Sequence, residues 1–306
     1  MLNRIRLAAS NPQVIAQAFF CLVILAWARP TQAQVFGCTQ QTPNPIVCEN
    51  SKPGNPPSDW DLPGYGDQIG DSSIQGFATD ISANQGGTIH FKVNTTAAAY
   101  HIDIYRIGYY QGLGARFIAT IQPSVTLPQT QPPCLTDAST GLIDCGNWAE
   151  SASWAVPSNA TSGLYVAKLV RSDTGGANHM VFVVRADSST SQILFQTSDT
   201  TWEAYNDYGG NSLYVGNGSV GRAYKVSYNR PYVTRLRNPL SWFLYGEYPM
   251  IRWLESNGYD MSYSTGLDSD RNGGPILNHK AFLSVGHDEY WSGNQRANVE
   301  AARDAG

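Results

Sequence analysis

The run Ser284-Val285-Gly286-His287-Asp288-Glu289-Tyr290-Trp291-Ser292 concentrates more reactive side chains than any other stretch of the chain. It continues an apolar segment, Ala281 to Val285, that reads as a buried strand. Gly286 loosens the backbone, and three ionisable residues follow at once. Ligands of open α/β sheets bind beyond the carboxyl ends of the strands, so this is a place for chemistry. If the backbone stays extended, His287 and Glu289 share one face and Asp288 takes the other. That argues against an Asp288–Glu289 acid/base pair of the glycosidase kind, which needs two carboxylates facing one substrate. It favours His287 and Glu289 working together. The competing structural role is a histidine capping the next helix, with a glutamate near that helix's N-terminus where the dipole favours it.

A second segment, Thr200-Thr201-Trp202-Glu203-Ala204-Tyr205-Asn206-Asp207-Tyr208-Gly209-Gly210, follows the first strand of the same region and can reach the same site. Tyr205 and Tyr208 are its polar aromatics. With 17 tyrosines in the chain, packing and surface roles compete strongly for each of them.

The elements that must position these segments fall into two groups. From Ile74 the pattern is strand-like: Thr88 to Val93 and Tyr100 to Ile107 alternate, and Gly163 to Val170 and His179 to Val184 read as further strands. Short turns separate them, which predicts an antiparallel β-sandwich over 74–187. After Ser191 the character changes. Gln192 to Gln196, Met261 to Ser264 and Ala281 to Val285 read as strands, while Tyr248 to Ser256 and Asn294 to Asp304 are spaced as helices. Alternating strands and helices predict a doubly wound parallel sheet, flavodoxin- or glutamine-amidotransferase-like, over 188–306. A sheet of about three strands cannot cover itself, so this domain is expected to be incomplete at its C-terminus. The fold class expected is thus multi-domain, β then α/β.

Composition agrees. The 306 residues suit about two domains of roughly 150 residues. Only 14% are charged, against about 25% in a typical soluble domain. A net charge of −4 gives no reason to expect nucleic acid or an anionic membrane as partner. The local basic run Arg222, Lys225, Arg230, Arg235 and Arg237 reads as a solvated loop. Residues 1–33 read as a signal peptide: Arg4 and Arg6, then an apolar core within Val14 to Ala28, then Thr31-Gln32-Ala33. A secreted, periplasmic or cell-surface protein is expected, with no membrane association after cleavage. Residues 34–73, rich in Pro, Gly, Asn and Gln, read as an extended lead-in. Outside the signal lie Cys38, Cys48, Cys134 and Cys145, and in an oxidising compartment disulfides 38–48 and 134–145 are expected from proximity.

Three stretches together resemble a known family: Ile74 through Tyr105-Arg106-Ile107-Gly108-Tyr109-Tyr110, Thr201 to Asn206, and Val285 to Trp291. The chain is similar to the large (β) subunit of N,N-dimethylformamidase and its exported relatives. The resemblance implies a hydrolase of linear amides with a mononuclear ferric iron held by two tyrosinates and a glutamate beside a histidine. By motif, Glu289 would be the carboxylate ligand, His287 the acid/base residue and Tyr205 one tyrosinate. Tyr165, in Ser162 to Ala167, matches the strand expected to supply the second, with a sandwich-core role as the alternative. An all-oxygen donor set suits ferric iron better than zinc. The family enzyme also carries an asparagine from later strands and works with a small subunit. The chain is therefore expected to be a fragment whose activity is in doubt, with a small subunit or self-association as its protein partner. The substrate does not carry over.

Two other readings compete. A non-catalytic secreted protein binding a glycan or a surface would use aromatics such as Tyr109, Tyr110 and Trp154. A cysteine-nucleophile amidotransferase fails, because no cysteine follows Cys145. The Asn-x-Ser/Thr triplets at Asn94, Asn159 and Asn217 are common by chance.

Overall fold

Apolar residues at every second position build most of the protein. The computed structural model describes residues 44–62, 70–233 and 241–306, so the expected signal peptide and Cys38 lie outside the described residues. The described chain is mostly β, with several antiparallel sheets and few helices. Strands β1 (Ile74–Ala78), β3 (Thr88–Thr95) and β8 (Ala152–Ala155) form an antiparallel sheet in the order β1-β3-β8. A five-stranded sheet contains β2 (Ser82–Asn84), β4 (Tyr100–Ile107), β5 (Ala115–Ile121), β9 (Gly163–Arg171) and β10 (Ala177–Arg185). Its order is β2-β10-β9-β4-β5, antiparallel except at β2–β10. The short hairpin β6 (Leu135–Asp137) and β7 (Leu142–Asp144) is bridged by the Cys134–Cys145 disulfide. Cys48 is disulfide-bonded as well.

The five-stranded sheet is a middle layer. Side chains alternate across a strand, and here both faces are apolar. Ile102, Ile104, Tyr165, Ala167, Leu169, Met180, Phe182 and Val184 pack against Ile89, Phe91 and Val93 of the three-stranded sheet. Tyr105, Ile107, Leu164, Val166, Val181 and Val183 point the other way, into a second core with Phe195, Trp202, Ile251, Leu254, Met261 and Tyr263. Burying each large apolar side chain contributes about 1.5–3 kcal/mol, so both interfaces are substantial.

The lead-in is not an extended tail over its described part. Helix α1 (Pro45–Asn50) is capped by Asn44, whose side chain accepts from the Ile46 and Val47 amides, and α2 (Pro57–Trp60) follows. Ile46 and Trp60 are buried in the second core, so tertiary packing overrides the loop-like composition. Of the basic run, Arg222 and Lys225 are exposed as a solvated loop predicts, Arg235 and Arg237 lie outside the described residues, and Arg230 departs from the expectation. Arg230 is 1% exposed and pairs with Glu203 at 3.4 Å.

Strands β11 (Ile193–Gln196), β12 (Met261–Ser264) and β13 (Ala281–Ser284) pair in parallel with β11 central. Around them lie α3 (Asp199–Tyr205), α4 (Tyr248–Ser256), α5 (Gly266–Arg271) and α6 (Gly293–Ala305). A capping box between Ser292 and Gln295 starts α6. Arg106 on β4 and Glu255 on α4 form an ion pair at 2.8 Å with both side chains at 0% exposure, tying the middle sheet to the helix. No described helix is long and apolar enough to cross a membrane.

Candidate functional site

Two loops leave the carboxyl ends of adjacent parallel strands and meet. The first follows β11 and becomes α3 at once, so the segment carrying Tyr205 is a helix that ends at that tyrosine. The second follows β13, turns at Gly286 with φ of 90°, and presents His287, Asp288 and Glu289 before α6 begins. A side chain at 286 has no room: a Cβ there would stand 2.7 Å from Glu247 Oε1 and 2.9 Å from Ser198 Oγ. Glycine is required both for the backbone and for this approach.

Glu289 is the focus. Its Oε2 accepts from the Tyr205 hydroxyl at 3.1 Å and the Tyr214 hydroxyl at 2.8 Å, and lies 3.3 Å from His287 Nε2. Tyr290 donates to the Tyr214 oxygen at 2.8 Å. The Tyr205 and Tyr214 rings stack with centroids 4.1 Å apart. On its other side the imidazole Nδ1 of His287 stands 3.2 Å from Ser241 Oγ. The His287 and Glu289 side chains are each 41% exposed, so the cluster opens to solvent. Asp288 is turned away from Glu289, toward β11 and β13. Its Oδ2 accepts from Ser284 at 2.6 Å and Gln196 at 3.0 Å. Burial raises the Asp288 pKa.

Desolvation, with the hydrogen bonds to Tyr205, Tyr290 and Glu289, pushes the Tyr214 phenol well above the ordinary tyrosine range. Tyr205 is raised too, first by desolvation. Behind the cluster lies Glu247, fully buried. Its Oε1 accepts from the Ser198 amide at 2.8 Å, the Ser198 hydroxyl at 2.5 Å and Trp202 Nε1 at 3.1 Å. Desolvation pushes its pKa up to about 7.

Tyr165 stands apart. It is 1% exposed, stacks on Phe182, and donates to the Thr161 carbonyl at 2.7 Å inside the core between the antiparallel sheets. The second tyrosine beside Glu289 is Tyr214 instead. The sequence reading missed it because it reaches the site through a fold-back after α3. The available signal was the glycine pairing around it, Gly209-Gly210 before and Gly216 after, which permits a tight return. Tyr208 lies outside the cluster, packed near Cys145 and Trp148.

Tyr205, Tyr214 and Glu289 supply three oxygens converging on one point, with His287 alongside. No group of three or more His, Cys, Asp or Glu side chains suited to a metal occurs among the described residues, so any metal here would depend on the phenols. The donor set fits a hard, strongly Lewis-acidic ion such as ferric iron, since only such an ion favours deprotonating phenols whose pKa is already raised.

The family model described as N,N-dimethylformamidase beta subunit-like, C-terminal, matches residues 101–306, more than half of the chain. No curated protein matches. Among solved structures, the crystal structure of VCBP3, domain 1, from Branchiostoma floridae covers 39% of this chain and 98% of that one, at 9% identity and a TM-score of 0.24. That likeness is too low to bear on fold or function.

Proposed function

Because the chain belongs to the N,N-dimethylformamidase beta subunit-like family, we propose that it is an exported relative of a metal-dependent hydrolase of amide C–N bonds. The observation that carries the reading is the convergence of Tyr205, Tyr214 and His287 on one oxygen of Glu289. Tyr205, Tyr214 and Glu289 would hold ferric iron. Such an ion acts as a Lewis acid toward an amide carbonyl and makes water a better nucleophile. His287 takes a proton as water adds to the carbonyl carbon, and returns one to the nitrogen as the C–N bond breaks, giving a carboxylate and an amine. Ser241 orients the imidazole from its far side, and Glu289 stabilises the charged ring. The open mouth of the cluster suits an amide on a larger molecule as well as a small one.

We read the two halves as a β-sandwich followed by a doubly wound sheet, a reading that the central position of β11 and the site beyond the strand ends support. Export is supported by the Cys134–Cys145 disulfide, which persists in oxidising compartments. The glycan-binding alternative loses two of its aromatics, since Tyr110 is 0% and Trp154 5% exposed.

The test is metal content and visible absorption of the secreted protein. About one iron per chain with a tyrosinate-to-iron band, lost in Tyr205→Phe and Glu289→Ala, supports the proposal. A colourless, iron-free protein that cannot be reconstituted overturns it.

A further inference from the structure

The backbone of the loop carrying Glu289 is held by two consecutive threonines of α3. Thr201 Oγ1 accepts from the Glu289 amide at 2.9 Å and the Tyr290 amide at 3.2 Å. Thr200 Oγ1 donates to the Tyr290 carbonyl at 2.6 Å. Thr201 is fully buried, so no water substitutes easily for these bonds. Thr201 and Tyr205 are four residues apart on one helix and therefore share a face. The helix that presents the Tyr205 hydroxyl thus also fixes the amide of the residue to which it donates. Behind it, Glu247 receives Ser198 at the start of the helix and presses on Gly286 at the start of the loop.

We propose that Thr201 is a positioning residue whose hydroxyl sets the Glu289 carboxylate against Tyr205, Tyr214 and His287. Polar groups that orient a ligating side chain typically change metal affinity by about 10–100-fold when removed. Thr201→Val keeps the shape of the side chain and deletes the hydroxyl that accepts from the Glu289 and Tyr290 amides. Thr201→Ser keeps the acceptor and deletes a methyl group.

The first readout needs no metal. Amide hydrogen exchange is followed across residues 286–291 in the metal-free protein. Thr201→Val is expected to accelerate exchange there by about 10-fold or more, with protection in β11 and α6 unchanged, and Thr201→Ser is expected to behave as the parent. Thr200→Val, at a half-buried position, is the second variant should Thr201→Val fail to fold, and is expected to accelerate the same segment. Unchanged exchange in the valine variants, or acceleration spread evenly over the whole protein, overturns the proposal. The second readout rests on the metallohydrolase reading: iron affinity falls about 10–100-fold in Thr201→Val and returns in Thr201→Ser. Local acceleration in Thr201→Val, when the parent protein takes up no iron, upholds the positioning role and defeats the metallohydrolase reading alone. Full iron affinity in Thr201→Val defeats the positioning role alone.

Discussion

Replacing Glu255 by leucine strands a guanidinium with no access to water. Arg106 donates to both Glu255 oxygens, at 2.8 and 3.1 Å, and among the described residues otherwise reaches the Ser162 and Ile107 carbonyls and the Tyr110 hydroxyl. Glu255 also accepts from Asn50 at 2.7 Å and Tyr263 at 2.6 Å, so the change orphans those donors too. Breaking a buried pair from one side costs about 3–5 kcal/mol, and a stranded neutral donor about 1–3 kcal/mol more. The retained Ser162 bonds offset part of this, which places the expected loss at about 5 kcal/mol. That is a large share of the roughly 5–15 kcal/mol available to a whole protein. Arg106→Met combined with Glu255→Leu removes both charges, and the double variant is expected to lose less than either single one. Urea unfolding of the oxidised protein followed by circular dichroism measures all four corners of the cycle. A single-variant loss below about 1 kcal/mol, or additive effects in the double variant, would refute the claim that this pair welds β4 to α4.

Tyr214→Phe is expected to remove the tyrosinate-to-iron band as completely as Tyr205→Phe. Tyr165→Phe should leave the band intact and cost about 1 kcal/mol of stability through the lost bond to Thr161; visible absorption with denaturant titration checks both. Glu247 links stability to pH. Its folded pKa of about 7 lies above the ordinary carboxylate value of 4.5, so the folded protein holds a proton that the unfolded chain releases. This contribution is fully present below pH 4.5 and is lost as pH rises through 7, on the order of 3 kcal/mol in all. Glu247→Gln should flatten the decline in stability between pH 5 and 8, and an unchanged slope would exclude Glu247 as its source.

The parts of the site legible in the sequence are those set by short-range geometry. An apolar strand followed by a glycine and a His-x-Glu run pointed to His287 and Glu289 as partners, and the two side chains do meet. Tyr205 was legible because it lies on the segment leaving the neighbouring strand. Tyr214 was not, since it arrives by a return of the chain that depends on Arg230 and Glu203 pairing in the interior. Between the two roles that the sequence left open for Tyr165, the structure places it in the sandwich core, and pattern alone could not decide between them. In β9 both faces are apolar, so alternation could not say which side faces a ligand and which a core. Residues 45–60 misled in the same way, because the apolar side chains that make them helical, Ile46 and Trp60, find their partners in strands and helices far along the chain.

The middle sheet bears on any attempt to divide the protein. A cut after residue 187 would follow the change in strand pattern, yet it would leave Tyr105, Ile107, Leu164, Val166, Val181 and Val183 uncovered on one side. An exposed apolar face of that kind invites association with whatever is nearby. The two halves are therefore topological divisions of a single cooperative object. The reactive loops reach that object through α3, whose Trp202 is buried in the core on the reverse side of the middle sheet.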